Sequence, residues 1–256
     1  MRKPHLWVAV LCLVITAITV AVAQTATPDM VCEVHVNEVK PGMIAQYEQG
    51  RAKHMAWHKS QNDTWSWNTW EITTGEHSGD YLISTCGHPW KDFDGRDKFN
   101  AADAANANTT MGAYLQHDVV TYYVLRPELS DPVKPELPPY LSVIFFHLKP
   151  EGVSDFRDGV KQVNEAFQKT NTPRMPGYWY TLANGGSGPE MVLVQERKTM
   201  ADMGGASPKT LDEMMKEAYA DQGAATMTSL RKAYYRSESE LLHHRPDLSY
   251  VVPASK

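Results

Sequence analysis

The apolar positions of this chain fall into two stretches with the same rhythm. From Val31 to Val39 the sequence favours extended backbone, and Lys40-Pro41 ends the run. A helix is predicted over Met43–Ser60. Two aromatic or β-branched runs follow, Trp65–Ile72 and Tyr81–Cys86, with Gly75 and Gly79 in the turn between them, as in a hairpin. Lys98–Leu115 reads as a poorer helix, rich in Asn and Thr, and Val119–Leu125 as a closing strand. The rhythm then restarts. Leu141–Leu148 is β-rich and meets Lys149-Pro150. Val153, Phe156, Val160, Val163 and Phe167 form one apolar stripe along a helix over Val153–Lys169. Tyr178–Leu182 and Met191–Gln195 flank the glycine-rich turn Asn184–Gly188. Ser207-Pro208 and the capping box Thr210-x-x-Glu213 open a further helix. The last strand is placed near Tyr235–Leu242, although Ser237-Glu238-Ser239-Glu240 also suits a helix.

The match between the stretches extends to particular residues. Val34–Pro41 aligns with Val143–Pro150 at an offset of 109, which persists through Ile44/Val153, Tyr47/Phe156 and Gly50/Gly159. Trp67 then meets Trp179, Asp80–Ile83 meets Glu190–Leu193, and Arg126-Pro127-Glu128-Leu129-Ser130 meets Arg245-Pro246-Asp247-Leu248-Ser249. An internal duplication is the reading, with a first unit over 24–127, a linker over 128–139, a second unit over 140–246 and a tail over 247–256. Prolines at 127, 132, 135, 138 and 139 make the connector extended and stiff.

Ahead of both units, Met1-Arg2-Lys3 precedes an uncharged run from Leu6 to Val22, and Ala21-Val22-Ala23 supplies a small-x-small cleavage site. Residues 1–23 therefore read as a secretory signal peptide, with a retained membrane anchor as the alternative. The protein is expected outside the cytoplasm, periplasmic or extracellular, with no membrane attachment after cleavage. The chain has 256 residues, 42% of them hydrophobic and 21% charged, so it is neither disordered nor collagenous. A formal charge of −5 argues against a nucleic-acid partner, which would require a basic surface.

Each unit reads β-α-β-β-α-β, the order of a ferredoxin-like fold, whose antiparallel sheet has one face covered by helices. The predicted fold class is α+β: two tandem ferredoxin-like units whose sheets pack together as an α/β barrel. A strand ending in Lys40-Pro41-Gly42, a helix with Tyr47 near its start and an aromatic strand pair resemble the dimeric α/β-barrel superfamily. That superfamily includes antibiotic-biosynthesis-type monooxygenases, NIPSNAP-like proteins and stress-responsive barrel proteins. The resemblance implies a fused pair where many relatives use a homodimer, and a small-molecule pocket between helices and sheet. Members range over cofactor-free oxygenases, haem enzymes, isomerases and proteins without known activity, so fold alone does not select a reaction. In such a unit the first strand lies beside the third, which brings the start of one, Cys32, near the end of the other, Cys86. The pair is expected either to form a disulfide or to remain two buried thiols.

The duplication also works as an internal control. His54 and His58 align with the apolar Val163 and Phe167, and they stand one helical turn apart. They are candidates for a proton acceptor, for pocket lining, or for ligands to haem or a metal. No third ligand stands at a telling spacing, so neither metal nor cofactor is assigned. Trp57, Trp65, Trp67, Trp70 and Trp90 are concentrated in the first unit. The candidate ligand-binding residues are His54, His58, Asn68, Trp70, Trp67 and Tyr81. Strand alternation separates Trp67 from Asn68 and Trp70, so Asn68, Trp70, His54 and His58 are the more coherent set if their strand face meets the helix. Glu33, His35 and Asn37 alternate on the first strand, where they are either solvated or turned into a polar interior. Three function classes follow: a monomeric or weakly oligomeric binder of a small apolar or aromatic molecule, a cofactor-independent monooxygenase or isomerase, and a haem or metal protein.

Overall fold

Successive side chains of a strand point to opposite faces, and the computed structural model, which describes residues 28–134, 136–205 and 207–252, closes the strands into a barrel with an inner and an outer face. The segment expected to direct export lies outside the described residues. In chain order the first half contains β1 (Met30–Val39), α1 (Ile44–Ser60), β2 (Asn68–Ile72), β3 (Tyr81–Pro89), the short α2 (Trp90–Phe93), α3 (Asp97–Thr110) and β4 (Leu115–Leu125). The second half contains β5 (Tyr140–Leu148), α4 (Val153–Lys169), β6 (Gly177–Asn184), β7 (Glu190–Arg197), α5 (Leu211–Tyr219), α6 (Asp221–Ala233) and β8 (Tyr234–His244). The eight strands run β1-β3-β2-β8-β5-β7-β6-β4 around the barrel, every pair antiparallel. The two halves thus repeat one strand order and join edge to edge, through β2–β8 and β4–β6, rather than stacking face to face. Closure leaves no free sheet edge.

The closed sheet has two faces with different roles. Its interior holds Trp70, Ile72, Val143, Val192 and Leu242. Its exterior carries the helices over two further clusters, one around Tyr47, Met55, Trp67, Tyr81 and Leu248, the other around Leu129, Phe156, Val160 and Trp179. In the second half the helices hold one another through Ala166, Met214, Met215 and Met227, with Val163 and Phe167 packed against them. None of the described residues of α3 in the first half is buried, as its Asn- and Ala-rich sequence dictates.

Several elements differ from expectation. The strand predicted from Trp65 begins at Asn68, because the Asp63 carboxylate accepts from the Trp65 backbone N–H and holds the preceding residues in a turn. The final strand is extended throughout; Glu238 and Glu240, which suggested a helix, point into the barrel. The second helix of the second half breaks at Ala220, whose φ is 51°. The two Arg-Pro-x-Leu-Ser segments form matching 3-10 turns at Pro127–Leu129 and Pro246–Leu248. Each docks on the opposite half: Ser130 Oγ accepts from the Trp179 N–H on β6, and Ser249 Oγ accepts from the Thr69 N–H on β2, both at 2.8 Å. Cys32 lies opposite Cys86 across β1 and β3 and is disulfide-bonded to it, with Cα atoms 3.9 Å apart. Among the described residues no helix is long and apolar enough to cross a membrane.

Candidate functional site

Two polar assemblies stand out, on opposite sides of the barrel wall. The first lies between α1 and α3. The helices touch at Gly50, where an added Cβ would come within 2.3 Å of the Thr110 carbonyl oxygen. That approach carries Asp103 and Asn106 of α3 up to His54 and His58 of α1. The His54 and His58 side chains are almost wholly buried. His54 Nε2 lies 3.1 Å and His58 Nε2 3.2 Å from Asp103 Oδ1, and the two Nε2 atoms are 3.2 Å apart. The far side of each ring is also occupied. Nδ1 of His58 faces Asp63 Oδ2 at 2.9 Å and Nδ1 of His54 faces Asn106 Oδ1 at 2.8 Å. Asp63 is itself fixed by both terminal nitrogens of Arg96 and by the Trp67 indole N–H.

Burial pushes the Asp63 carboxyl up, but the hydrogen bonds it accepts from His58, Arg96 and Trp67 outweigh that and hold it well below the usual carboxylate range. Burial pushes the His58 imidazole down, and the nearby Asp103 and Asp63 carboxylates more than reverse this. Asp103 is likewise held low by the two histidines, against the effect of its burial.

The second assembly is the barrel interior, which encloses a cavity of about 410 Å³. Val34, Trp70, Leu82, Val143, Phe145 and Leu242 contribute to its apolar wall, and Val133, Leu137 and Pro138 of the connector border it. A polar group sits where β4, β5, β7 and β8 converge. His147 Nε2 lies 2.6 Å from Glu238 Oε1, and its Nδ1 lies 3.2 Å from Glu190 Oε2. Tyr123 donates its hydroxyl to Glu190 Oε1 at 3.0 Å. Glu240 lies buried nearby. Burial pushes the carboxyls of both Glu190 and Glu240 above the ordinary glutamate range.

The six candidate residues divide between these places. His54, His58 and Trp67 come together in the first assembly, the His58 and Trp67 ring centroids being 5.5 Å apart. Tyr81 shares that outer face but packs on Tyr47 and donates to Glu48 Oε1 at 2.7 Å. Asn68 and Trp70 line the barrel cavity. The grouping of Asn68 and Trp70 with His54 and His58 is therefore corrected: alternation turns Asn68 and Trp70 inward, whereas α1 covers the outside. The void likewise lies inside the barrel, not between α1 and the sheet where the sequence suggested it. Asp63, Asp103, Asn106, His147, Glu190, Glu238 and Glu240 were not singled out. Asp103 sits in a helix without apolar periodicity, and the cavity acids come from separate strands. Only the acids of β8 left a signal, since their spacing of two placed them on one face.

On the outer face of β1, Asn37 accepts from the Tyr47 hydroxyl and donates to Asp118. His35 lies between Glu33, at 2.9 Å, and Asp118, at 3.1 Å. Burial pushes the His35 imidazole down, but the two carboxylates raise it overall to about 9.

No family model matches the chain, and none of the curated proteins does. Solved structures do resemble it. A protein from Lactobacillus acidophilus NCFM described as a "putative monooxygenase" superposes with a TM-score of 0.54 at 10% identity, over 88% of this chain and 97% of that one. An anthrone oxidase-like protein gives 0.51 at 12% identity, over 86% and 92%. A mutant chlorite dismutase from Candidatus Nitrospira defluvii gives 0.53 at 10% identity, over 85% and 92%. The fold shared with these proteins is an antiparallel eight-stranded barrel with helices outside. Haem, raised by the same resemblance, does not fit His54 or His58. Each Nε2 is closed off by the other imidazole and by Asp103 at 3.1–3.2 Å, so neither nitrogen has room for a porphyrin.

Proposed function

We propose that this protein is exported and binds a small, mostly apolar or aromatic molecule inside the barrel. We infer further that its halves descend from one doubled ferredoxin-like unit. The observation that carries the binding reading is the cavity itself, apolar along most of its wall and acidic at one place. Burying an apolar body there removes hydrocarbon from water at roughly 25 cal/mol per Å². Glu190, Glu238 and Glu240 would orient a hydrogen-bond donor or cationic end, which makes an aromatic amine the best-matched ligand class. The Cys32–Cys86 disulfide is consistent with an oxidising compartment.

A second reading, an enzyme of the monooxygenase kind, is favoured by the descriptions of the structural neighbours. In that case the proton acceptor for a ligand in the cavity would be His147 with Glu190, because His54 and His58 lie on the other side of the wall.

Fluorescence titration with 2-(1-naphthyl)ethylamine and with its uncharged analogue 1-ethylnaphthalene tests the binding reading. The amine is expected to bind more tightly, and Val143→Trp, which fills the void, is expected to abolish binding of both with unchanged circular dichroism. No binding of either probe, or equal binding by the filled variant, would overturn it.

A further inference from the structure

Three side-chain atoms between α1 and α3 define a nearly equilateral triangle, with sides of 3.1, 3.2 and 3.2 Å. We propose that His54 Nε2, His58 Nε2 and Asp103 Oδ1 bind one divalent first-row transition ion, such as Zn²⁺, with water completing its coordination. Nitrogen and oxygen ligands about 2.0–2.2 Å from a common ion stand roughly 3.0–3.5 Å from one another, which is the spacing found here.

The hydrogen bonding around the triangle argues the same way. Asp63 accepts at Nδ1 of His58, and Asn106 Oδ1 faces Nδ1 of His54. In the tautomer that carries its proton on Nδ1, each imidazole has its lone pair on Nε2, and the two Nε2 atoms and Asp103 Oδ1 lie 3.1–3.2 Å from one another. In that neutral state all three atoms are acceptors, and Asp103 Oδ1, although buried, has no hydrogen-bond partner. One proton shared between the imidazoles would leave that oxygen unsatisfied; a cation at the centre satisfies all three. Asp63, anchored by Arg96 and Trp67, supplies the outer carboxylate that fixes a ligating imidazole in orientation and tautomer.

The other half of the molecule supplies the contrast. At the positions of His54 and His58 it has Val163 and Phe167, packed against Met214, Met215 and Met227. There, apolar burial joins the helices. In the first half, α3 has no comparable apolar face, and the ion would join it to α1 instead.

The test is titration of the chelator-treated, dialysed protein with Co²⁺. One equivalent is expected to bind, to produce visible ligand-field bands, to be displaced by Zn²⁺ and to raise the thermal midpoint. Asp103→Asn, and separately the double change His54→Val with His58→Phe that copies the apolar half, are expected to weaken Co²⁺ binding at least about 100-fold while far-ultraviolet circular dichroism stays native. Asp103 is partly exposed, so its variant remains informative should the double variant fail to fold. Absence of stoichiometric uptake by the folded wild type would overturn the proposal. So would an unchanged Co²⁺ spectrum and affinity in Asp103→Asn.

Discussion

At the scale of single residues, the first half is organised around one carboxylate. Asp63 accepts from His58, Trp67, Arg96 and the Trp65 backbone N–H, all away from water. Removing it orphans a buried guanidinium and an indole N–H together, so Asp63→Ala is expected to cost about 3–5 kcal/mol. Asp63→Asn, which keeps one acceptor oxygen, should cost less. Urea denaturation of the two variants checks the order. His35 gives a prediction in pH. Its folded value of about 9 lies above the ordinary 6.5. Its contribution to stability is therefore complete below about 6.5, declines as pH rises and is gone above about 9. After allowance for its partial exposure, the effect is on the order of 2 kcal/mol. Unfolding free energies measured across that interval should fall in the wild type and flatten in His35→Asn.

At the scale of elements, the pairing of α1 with α3 depends on Gly50. A Cβ at this position would meet backbone, the Thr110 carbonyl oxygen at 2.3 Å, which cannot swing aside as a side chain can. Gly50→Ala should therefore spread the two helices and lower stability by about 1–3 kcal/mol, measurable by thermal unfolding. The elements themselves were largely legible in sequence. Strands advertised themselves by alternation, Lys-Pro pairs marked their ends, and the stripe from Val153 to Phe167 fixed α4 over Val153–Lys169. Which elements meet was harder to read. His54 and His58 stood out because they interrupt a stripe that the other half keeps apolar. Asp103 did not, since α3 carries no periodicity against which an acid could look misplaced. The cavity group was hidden for another reason: His147, Glu190 and Glu238 are far apart in sequence and meet only once the barrel closes.

At the scale of the whole molecule, the halves are interlocked by their trailing turns. Leu129, which follows the first half, is buried with Phe156 and Trp179 of the second, and Leu248, which follows the second, is buried with Tyr47 and Trp67 of the first. Leu248→Ala is expected to destabilise the protein by about 2–4 kcal/mol, as a central core truncation does. Calorimetry should show a single transition moving as one, because loss of either turn weakens the half it docks on and, through the shared seams, the barrel.

The same crossed docking governs how the molecule would respond to force. Tension applied after Tyr250 is borne by contacts with residues distant in sequence. It peels Tyr250 from its bridge with Trp67 and then draws Leu248 out of the first half's cluster. Rupture would therefore begin beside β2, where the first half holds the residues that follow β8.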